Sequence, residues 1–519
     1  MNSISNYVPR LLPLRLPRVC VAVIGSDANE MAEKAEALVR DNSFLEFRLD
    51  YLAKPGLAIP RVKRFLDSHQ GTTLIATCRR AASGGKFRGS IASQLDILGK
   101  AAAAGCQLVD VELQTAVKIK PEQLQKLRAR AGLILSFHDF RATKKLDETL
   151  EKMVAYAADF YKVVSTATTL SDNVTVIKFL AHQGDRHSLV SMCMGEQGII
   201  SRVLGVRAGS VFTFASASSG EKTAPGQVTA QELRSVYRID QVDAATRVYG
   251  VVGDPIAHSL SPAIMNAAFR RENVNGVYLA LHAKTLKDLL TCVREIPIHG
   301  LSVTMPYKEA ILPHLDNTDS HTTKIGACNT VVRAQDGKLY GFNTDAVGVV
   351  RPLERRLSTL EGARILVLGA GGAARAAVFG LKERGSEVYI LNRSMDAAKK
   401  LARQARARIM KRVDLRKMAF DVIINATPVG MGSAHESPLQ DKEINARYVF
   451  DMVYDPGETR FLKLAKERGA QVIPGIEMFV HQAARQFEIW TGKPAPWDEM
   501  LRVVLLALQE RSTRPAAGK

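Results

Sequence analysis

The chain has 519 residues, 46% hydrophobic and 24% charged, and its 71 Lys and Arg against 52 Asp and Glu give a formal charge of +19. The length suits two to four domains, and the composition excludes a mainly disordered chain, which could not bury enough apolar surface to offset its conformational entropy. The charge points first to nucleic acid or an anionic membrane. Against this, no run approaches the roughly 18 apolar residues of a membrane span, and with aromatics at 6% no nucleic-acid-binding module is recognisable.

Residues 1–18 hold Arg10, Arg15 and Arg18 around Leu-Pro pairs. The prolines break the continuous apolar stretch that a secretory signal needs, which leaves a disordered leader or a short transit peptide. Six scattered cysteines (20, 78, 106, 193, 292 and 328) form no CxxC pair and read as the reduced thiols of a cytoplasmic protein. No His/Cys/carboxylate group has ligand spacing, so no metal is implied.

From residue 19 a rhythm sets in. Short runs rich in Val, Ile, Leu and Phe (19–24, 44–50, 73–79, 108–113, 133–139, 160–166, 187–194 and 211–216) alternate with amphipathic segments. Near-continuous apolar strands suit a parallel sheet covered on both faces, and eight βα units in this length favour a closed (β/α)8 barrel over residues 15–240. Arg48, Arg79, His138 and Lys162 are expected at the C-terminal strand ends, where barrel enzymes place their chemistry. Lys162 lies inside the apolar run ADFYKVVST. It is either a desolvated amine poised as a Schiff-base nucleophile or a lysine that snorkels from the barrel edge. His138 ends the preceding strand, where it either shares a cavity with Lys162 and moves protons or simply packs.

Residues 237–248 read as a linker. A second βα series starts at VYGVVG (248–253) and defines an α/β domain over 247–350, and a third starts at ARILVLGAGGAARAAVFG (363–380) and defines a Rossmann-type domain over 351–510. In the second series, GDPIAHSLSP (253–262), SVTMPYK (302–308), GACNTVV (326–332) and GFNTDAVG (341–348) put small and hydroxyl residues at strand ends. Ser259 and Ser261 before a proline suit a carboxylate at a helix entry. Lys308 and Asp345 form either a proton-transfer pair or a surface ion pair.

In the third series, a strand followed by Gly369-x-Gly371-x-x-Ala374 and a helix is the dinucleotide fingerprint. Gly369 allows the tight turn, and Gly371, with Ala370, Gly372 and Ala373, lets backbone approach a pyrophosphate. The next strand ends in Asn392-Arg393-Ser394 where an acidic residue would mark NAD, so Arg393 either pairs with a 2′-phosphate or is solvated. Residues 351–417 carry 17 basic and six acidic residues, which favours an anionic ligand and NADP(H) over NAD(H).

Taken in order, EFR (46–48), SFHDF (136–140), YKVV (161–164), ISR (200–202) and TAPGQ (223–227) resemble the type I 3-dehydroquinate dehydratase family. The resemblance implies that Lys162 forms an imine with the substrate ketone. His138 would move the proton, Arg202 and Gln227, with Thr223, would hold carboxylate and hydroxyls, and Glu46, Arg48 and Arg79 would line the pocket. The glutamate usual four residues after Arg79 is Ser83 here.

The later motifs, with NATPVGM (425–431) and PGIEMFVHQAARQFEIWTG (474–492), resemble the shikimate dehydrogenase family over 247–510. By that resemblance Ser259, Ser261, Thr304, Asn329 and Gln482 hold substrate, and Lys308 is the acid/base supported by Asp345. Asn392, Arg393 and Ser394 hold the adenosine phosphate, while Thr427, Met452, Gly475 and Met478 lie near the nicotinamide. Ser259 and Thr344, hydroxyls that quinate-using relatives tend to lose, are both present. The implied whole is an α/β protein: a (β/α)8 barrel, then a two-domain NADP(H) dehydrogenase whose last helices return to the substrate domain. Its expected ligands are small molecules of the shikimate pathway, with no nucleic acid and no membrane.

Overall fold

The computed structural model describes residues 15–256, 259–433 and 435–513, so residues 1–14, where most of the leader reading falls, lie outside it. The fold divides into two compact units: residues up to Thr246 with Leu281–Ile296, and Arg247–Ala280 with Pro297 onward.

The first unit is an eight-stranded parallel barrel: β1 (Val19–Val23), β2 (Phe44–Arg48), β3 (Thr73–Thr77), β4 (Leu108–Glu112), β5 (Gly132–His138), β6 (Phe160–Thr166), β7 (Leu189–Met194) and β8 (Thr213–Ser216). Each of the eight apolar runs holds one strand, because β-branched and aromatic side chains pack on both faces of a pleated sheet covered by helices. Strands β1 to β7 pair in sequence and β8 pairs with β1. The seam between β7 and β8 is bridged at Leu189 and Ser210. Outer helices are started by side chains that take their free N–H groups: Asp27 accepts from Asn29 and Glu30 ahead of the helix Ala28–Leu38, and Ser90 accepts from Ser93. Within the same unit, Asp288 accepts from the backbone N–H groups of Leu170 and Ser171 (2.6 and 2.9 Å).

Alternation along the strands builds the barrel interior. Phe44, Ile75, Leu108, Ile134, Phe160, Phe212 and Phe214 belong to one buried apolar cluster, with Phe44 and Phe212 edge to face at 4.9 Å. Two residues further along the same strands come Glu46, Thr77, Asp110, Ser136 and Lys162, and two further still Arg48, Arg79, Glu112 and His138. The ionisable groups therefore stand on an aromatic floor. Lys162 departs from the expected strand-end position: it is third of the seven residues of β6, paired in register with Ser136 and Val190. Its amine stays beside Asp110 and Glu46 of the same layer and over the floor ring of Phe214.

The second unit holds two sheets. A mixed sheet runs β10 (Gly276–His282), β9 (Arg247–Gly253), β11 (Ile298–Val303), β13 (Thr330–Arg333), β14 (Leu339–Phe342) and β12 (Asn317–Thr318). The other is parallel: β17 (Arg408–Ile409), β16 (Glu387–Leu391), β15 (Arg364–Leu368), β18 (Phe420–Asn425), β19 (Ala446–Asp451) and β20 (Gln471–Ile473). Counted along the chain, this order is 3-2-1-4-5-6, the doubly wound Rossmann arrangement. Phe479, Val480, Phe487 and Trp490 of the helix Gly475–Thr491, with Met500 and Val504 of the helix Trp497–Thr513, share one core with Tyr249, Phe269 and Tyr278 of the mixed-sheet region. Among the described residues no helix is long and apolar enough to cross a membrane.

Candidate active sites

In the barrel, the Lys162 amine is buried at 4% exposure. It lies 3.3 Å from Asp110 Oδ2 and 3.9 Å from Glu46 Oε1, 3.6 Å above the centre of the Phe214 ring. Burial lowers its pKa; the two carboxylates oppose that, but with Arg79 and Arg48 nearby the amine stays below its ordinary value. Asp110 is a hub. Its Oδ1 accepts from Ser136 Oγ (2.6 Å) and its Oδ2 from Arg79 Nη2 (3.1 Å) and Lys162. Burial pushes its carboxyl up, but Lys162 and Arg79 outweigh that and hold it below the usual range.

Arg79 also lies 3.1 Å from His138 Nε2 through Nη1. A guanidinium only donates, so Nε2 accepts and carries a lone pair. Burial, then the cations of Arg79, Lys162 and Arg48, hold the imidazole well below its ordinary pKa, so it is neutral. Glu46 accepts from Thr77 Oγ1 at 2.7 Å, and Arg48 makes a two-point bond to Asp50 (2.9 and 2.8 Å). Ser83 is buried at the end of a short turn, Ala81–Ser83.

Arg202, on the helix Ile199–Leu204, is 2% exposed and among the described residues pairs with no carboxylate. Among the described residues it reaches Met192 Sδ (3.6 Å) and the Pro225 carbonyl (3.4 Å), and its Nε has no partner there. Burial pushes the guanidinium down to about 10. A buried unpaired cation is costly. Beside it runs the loop in which Gln227 Oε1 accepts from Thr223 N and Oγ1 (2.7 and 3.1 Å).

In the second unit, Lys308 Nζ donates to Asp345 Oδ2. Asp345 opens the helix Asp345–Glu354 and is buried, and its Oδ1 accepts from Asn329 Nδ2 at 2.7 Å. Asn329 also donates to Thr344 Oγ1 (3.0 Å), while its Oδ1 accepts from Thr344 N and Thr330 Oγ1 (both 2.8 Å). Gln486 locks this from behind: Nε2 donates to Asn329 O (2.9 Å) and Thr330 Oγ1 (3.0 Å), and Oε1 accepts from Ser302 Oγ (2.7 Å). Ser302 in turn accepts from Tyr278 OH at 2.5 Å. Ser261 begins the helix Ser261–Arg271 and donates its N–H to Ser259 Oγ (3.2 Å). Thr304 follows β11 directly, half-buried. Gln482 is half-buried on the helix Gly475–Thr491, with its amide on Phe479 O (2.9 Å).

The residues expected for a dinucleotide follow the C-terminal ends of β15, β16, β18, β19 and β20, and the strand order reverses between β15 and β18. Gly369 has φ +115, which favours glycine. The helix Gly372–Glu383 starts with no side-chain cap, and a Cβ on Gly371 would meet nothing within 4 Å, so its first N–H groups face open space of the kind a pyrophosphate fills. Ala370 and Ala373 flank that turn, half-buried. Arg393 is exposed and among the described residues has no acidic partner, while Asn392 donates to Ser394 O (2.9 Å) and Ser394 caps the next helix. Thr427 donates its hydroxyl to Asn425 Oδ1 (2.6 Å), and Met452 N donates to Asn425 O (3.0 Å). Gly475 packs so closely that a Cβ there would fall 2.7 Å from Met452 O, and Met478 lies against Gly348. The two parts meet at Lys308: a Cβ on Gly372 would lie 3.2 Å from Lys308 Cδ. These residues fit NADP(H).

Sequence reasoning did not single out Asp110, Glu112, Ser302, Tyr278 or Gln486. For Asp110 and Glu112 a signal was present, since two acids two apart inside the apolar strand LVDVE must share one face.

Fold and sites together define a fused pair of enzymes: a barrel with a buried, pKa-depressed lysine and a two-domain NADP(H)-type dehydrogenase. The type I 3-dehydroquinase family matches residues 19–244, the shikimate dehydrogenase substrate-binding domain 251–331, shikimate/quinate 5-dehydrogenase 352–451, and the shikimate 5′-dehydrogenase C-terminal domain 475–505. The chain is 33% identical over 501 residues to the chloroplastic bifunctional 3-dehydroquinate dehydratase/shikimate dehydrogenase of Arabidopsis thaliana, covering 92% of this chain and 82% of that protein. It is 40% identical over 270 residues to the NADP(+) shikimate dehydrogenase of Nitrosopumilus maritimus, covering 50% of this chain and 98% of the relative. A solved shikimate 5-dehydrogenase from Thermus thermophilus, in complex with NADP(H) and shikimate, is 37% identical, with coverages of 50% and 99% and a TM-score of 0.47. The chain belongs to the bifunctional 3-dehydroquinate dehydratase/shikimate dehydrogenase family.

Proposed function

We propose that the chain catalyses two consecutive reactions: dehydration of 3-dehydroquinate to 3-dehydroshikimate in the barrel over about 15–240, and NADPH-dependent reduction to shikimate in the substrate domain (247–350) and Rossmann domain (351–510) that follow. Lys162 carries the reading: a buried amine of lowered pKa, joined to a neutral His138 through Asp110 and Arg79.

Lys162 Nζ, neutral when its proton leaves, attacks the ketone carbon, and loss of water gives an imine on Lys162. The imine withdraws electrons from the adjacent C–H, His138 Nε2 takes that proton, and the same ring returns it to the departing hydroxyl. Hydrolysis of the imine frees the product. Arg202 pairs with the substrate carboxylate, and Gln227, Thr223, Glu46, Arg48 and Arg79 shape the rest of the pocket.

In the dehydrogenase, bound NADPH supplies the hydride. Lys308 Nζ gives a proton to the ketone oxygen as charge builds there, and Asp345 holds the amine in place. Ser259, Ser261, Thr304, Asn329 and Gln482 orient the ring and carboxylate. Gly369 to Ala373 hold the pyrophosphate, Asn392, Arg393 and Ser394 the 2′-phosphate, and Thr427, Met452, Gly475 and Met478 the nicotinamide side. The hydroxyls of Ser259 and Thr344 favour shikimate over quinate. The six cysteines are free and buried, in keeping with a reducing cytoplasm.

A coupled assay tests the whole: 3-dehydroquinate added with NADPH should consume NADPH and yield shikimate. A clear preference for quinate with NAD over shikimate with NADP would defeat the reading.

Two substitutions sharpen it. Arg202→Met should raise the KM for 3-dehydroquinate by about 10²–10³-fold, the loss of one buried charge pair. It should also raise Tm by a few degrees, because it removes a buried cation that has no carboxylate partner among the described residues. Calorimetry and steady-state kinetics on one sample read both. A merely structural arginine would lose stability instead. Arg393→Asp should lower kcat/KM for NADPH by about 10–100-fold, as expected for a lost charge-assisted bond, with little loss for NADH. An unchanged cofactor ratio would assign Arg393 to solvent.

A further inference from the structure

The helix Gly475–Thr491 carries Gly475, Met478 and Gln482 on one flank and Glu477 and His481, one turn apart, on another. Beside the second flank lies a cavity of about 610 Å³ lined by Arg355, Glu477, Trp497, Leu501 and Leu505, among others, a size typical of small-molecule sites. None of these lining residues has a role in either reaction above.

Its polar groups are unbalanced. Arg356 is neutralised by two bonds to Glu477 (2.9 and 2.7 Å). Arg355 has no acidic partner among the described residues, and its guanidinium lies over the Trp497 ring, 5.3 Å from the centroid. The Trp497 indole N–H is buried without an acceptor among the described residues. His481 packs behind Trp497 with centroids 5.5 Å apart, and its ring nitrogens have no partner among the described residues. Burial, then Arg355 and Arg351, hold that imidazole down to about 4, so it adds no charge. Buried N–H groups nearly always have an acceptor, so the Trp497 N–H and the unpaired Arg355 cation, both on the cavity wall, call for a ligand that accepts a hydrogen bond and carries negative charge, while the buried His481 lies behind Trp497 and off that wall. The apolar wall selects further: Leu505, on the cavity, is 52% exposed. A polyhydroxylated ring would strand its hydroxyls against Leu501 and Leu505, and an apolar body would not.

We propose that this cavity is an effector site for a small carboxylate with an aryl or alkyl body. The carboxylate pairs with Arg355 and accepts from the Trp497 N–H, and the body covers Leu501 and Leu505. Occupancy acts on the dehydrogenase through the helix Gly475–Thr491, whose other flank carries Met478 and Gln482. The coupling part rests on the dehydrogenase reading above, and the binding part does not.

The test uses the full chain with 3-phenylpropionate as probe and 3-phenylpropan-1-ol and shikimate as comparators. The chain has two tryptophans, Trp490 and Trp497. The probe should quench tryptophan emission saturably in the millimolar range and shift the KM for shikimate or NADP without competing with shikimate. Arg355→Ala, on an exposed residue, should keep basal activity and weaken probe binding by about ten-fold or more, the scale of a lost charge-assisted bond. Trp497→Phe should lose the quenching, with calorimetry following its binding directly. No saturable binding, equal binding of the alcohol, or unchanged affinity in Arg355→Ala overturns the site. Competition with shikimate places the probe in the substrate pocket and also overturns it. Binding that leaves the dehydrogenase kinetics unchanged overturns the effector role. Failure of the dehydrogenase reading itself would show instead as absent basal turnover, with probe binding intact.

Discussion

In Lys162→Ala, turnover of 3-dehydroquinate should fall by about 10⁴-fold or more, because the step loses both its nucleophile and the electron withdrawal that makes the C–H acidic. Reduction of 3-dehydroshikimate should keep its wild-type kcat and KM, since that chemistry lies in another unit. Borohydride added with 3-dehydroquinate should fix a mass on the Lys162 peptide of the wild type and none in the variant. His138→Ala separates the two roles: it should still trap substrate on Lys162, because the amine remains, while turnover drops by about 10²–10⁴-fold.

The pH dependence follows from the charges around the pair. His138 is kept neutral by burial and by Arg79, Lys162 and Arg48, so it remains a base into acidic solution. Arg79→Ala removes a cation 3.1 Å from Nε2, which makes protonation easier and raises the His138 pKa. The acid limb of kcat/KM should therefore move to higher pH. An acid limb that does not move, or full activity in Lys162→Ala, would detach these residues from the reaction.

The barrel was legible from its apolar runs because a parallel strand buried on both faces leaves a continuous hydrophobic signature, and each run contains a strand. The Rossmann turn was legible because Gly369 has a backbone reason to be glycine, its φ of +115, and because Gly371 leaves open the space before the helix. The depth of Lys162 was not. An apolar context says that an amine is buried, but only the strand register shows that it stands one layer below His138. The hub role of Asp110 was also hidden, since its partners come from β5, β6 and the segment just past β3, far apart in sequence. Gln486 shows the same limit: its three partners lie more than 150 residues away, and nothing local distinguishes it from Gln482 one turn earlier. Unpaired Arg202 is visible only by elimination in three dimensions.

Lys308→Ala is the decisive variant for the second unit. If Lys308 protonates the ketone oxygen, kcat for reduction should drop by about 10²–10⁴-fold, while NADPH affinity, read by cofactor fluorescence, stays within a few-fold. The dehydratase should not change. The rival account is an ion pair that only stabilises the fold: such a pair contributes under about 1 kcal/mol when solvated, too little to unfold the chain, so kcat would stay close to wild type. Burial argues against that account, since the Asp345 side chain is 4% exposed and the Lys308 side chain 16%. Asp345 is also held by Asn329, itself braced by Thr344, Thr330 and Gln486, so its geometry does not depend on Lys308 alone. Asp345→Asn should therefore fold and bind NADPH but lose much of kcat, because an amide cannot hold the ammonium as a carboxylate does. Gln486→Leu should weaken substrate binding more than it lowers kcat, by freeing the Asn329 backbone and Ser302. A kcat close to wild type in Lys308→Ala would return Lys308 to a structural role and leave the proton donor to be sought among the hydroxyls around Asn329.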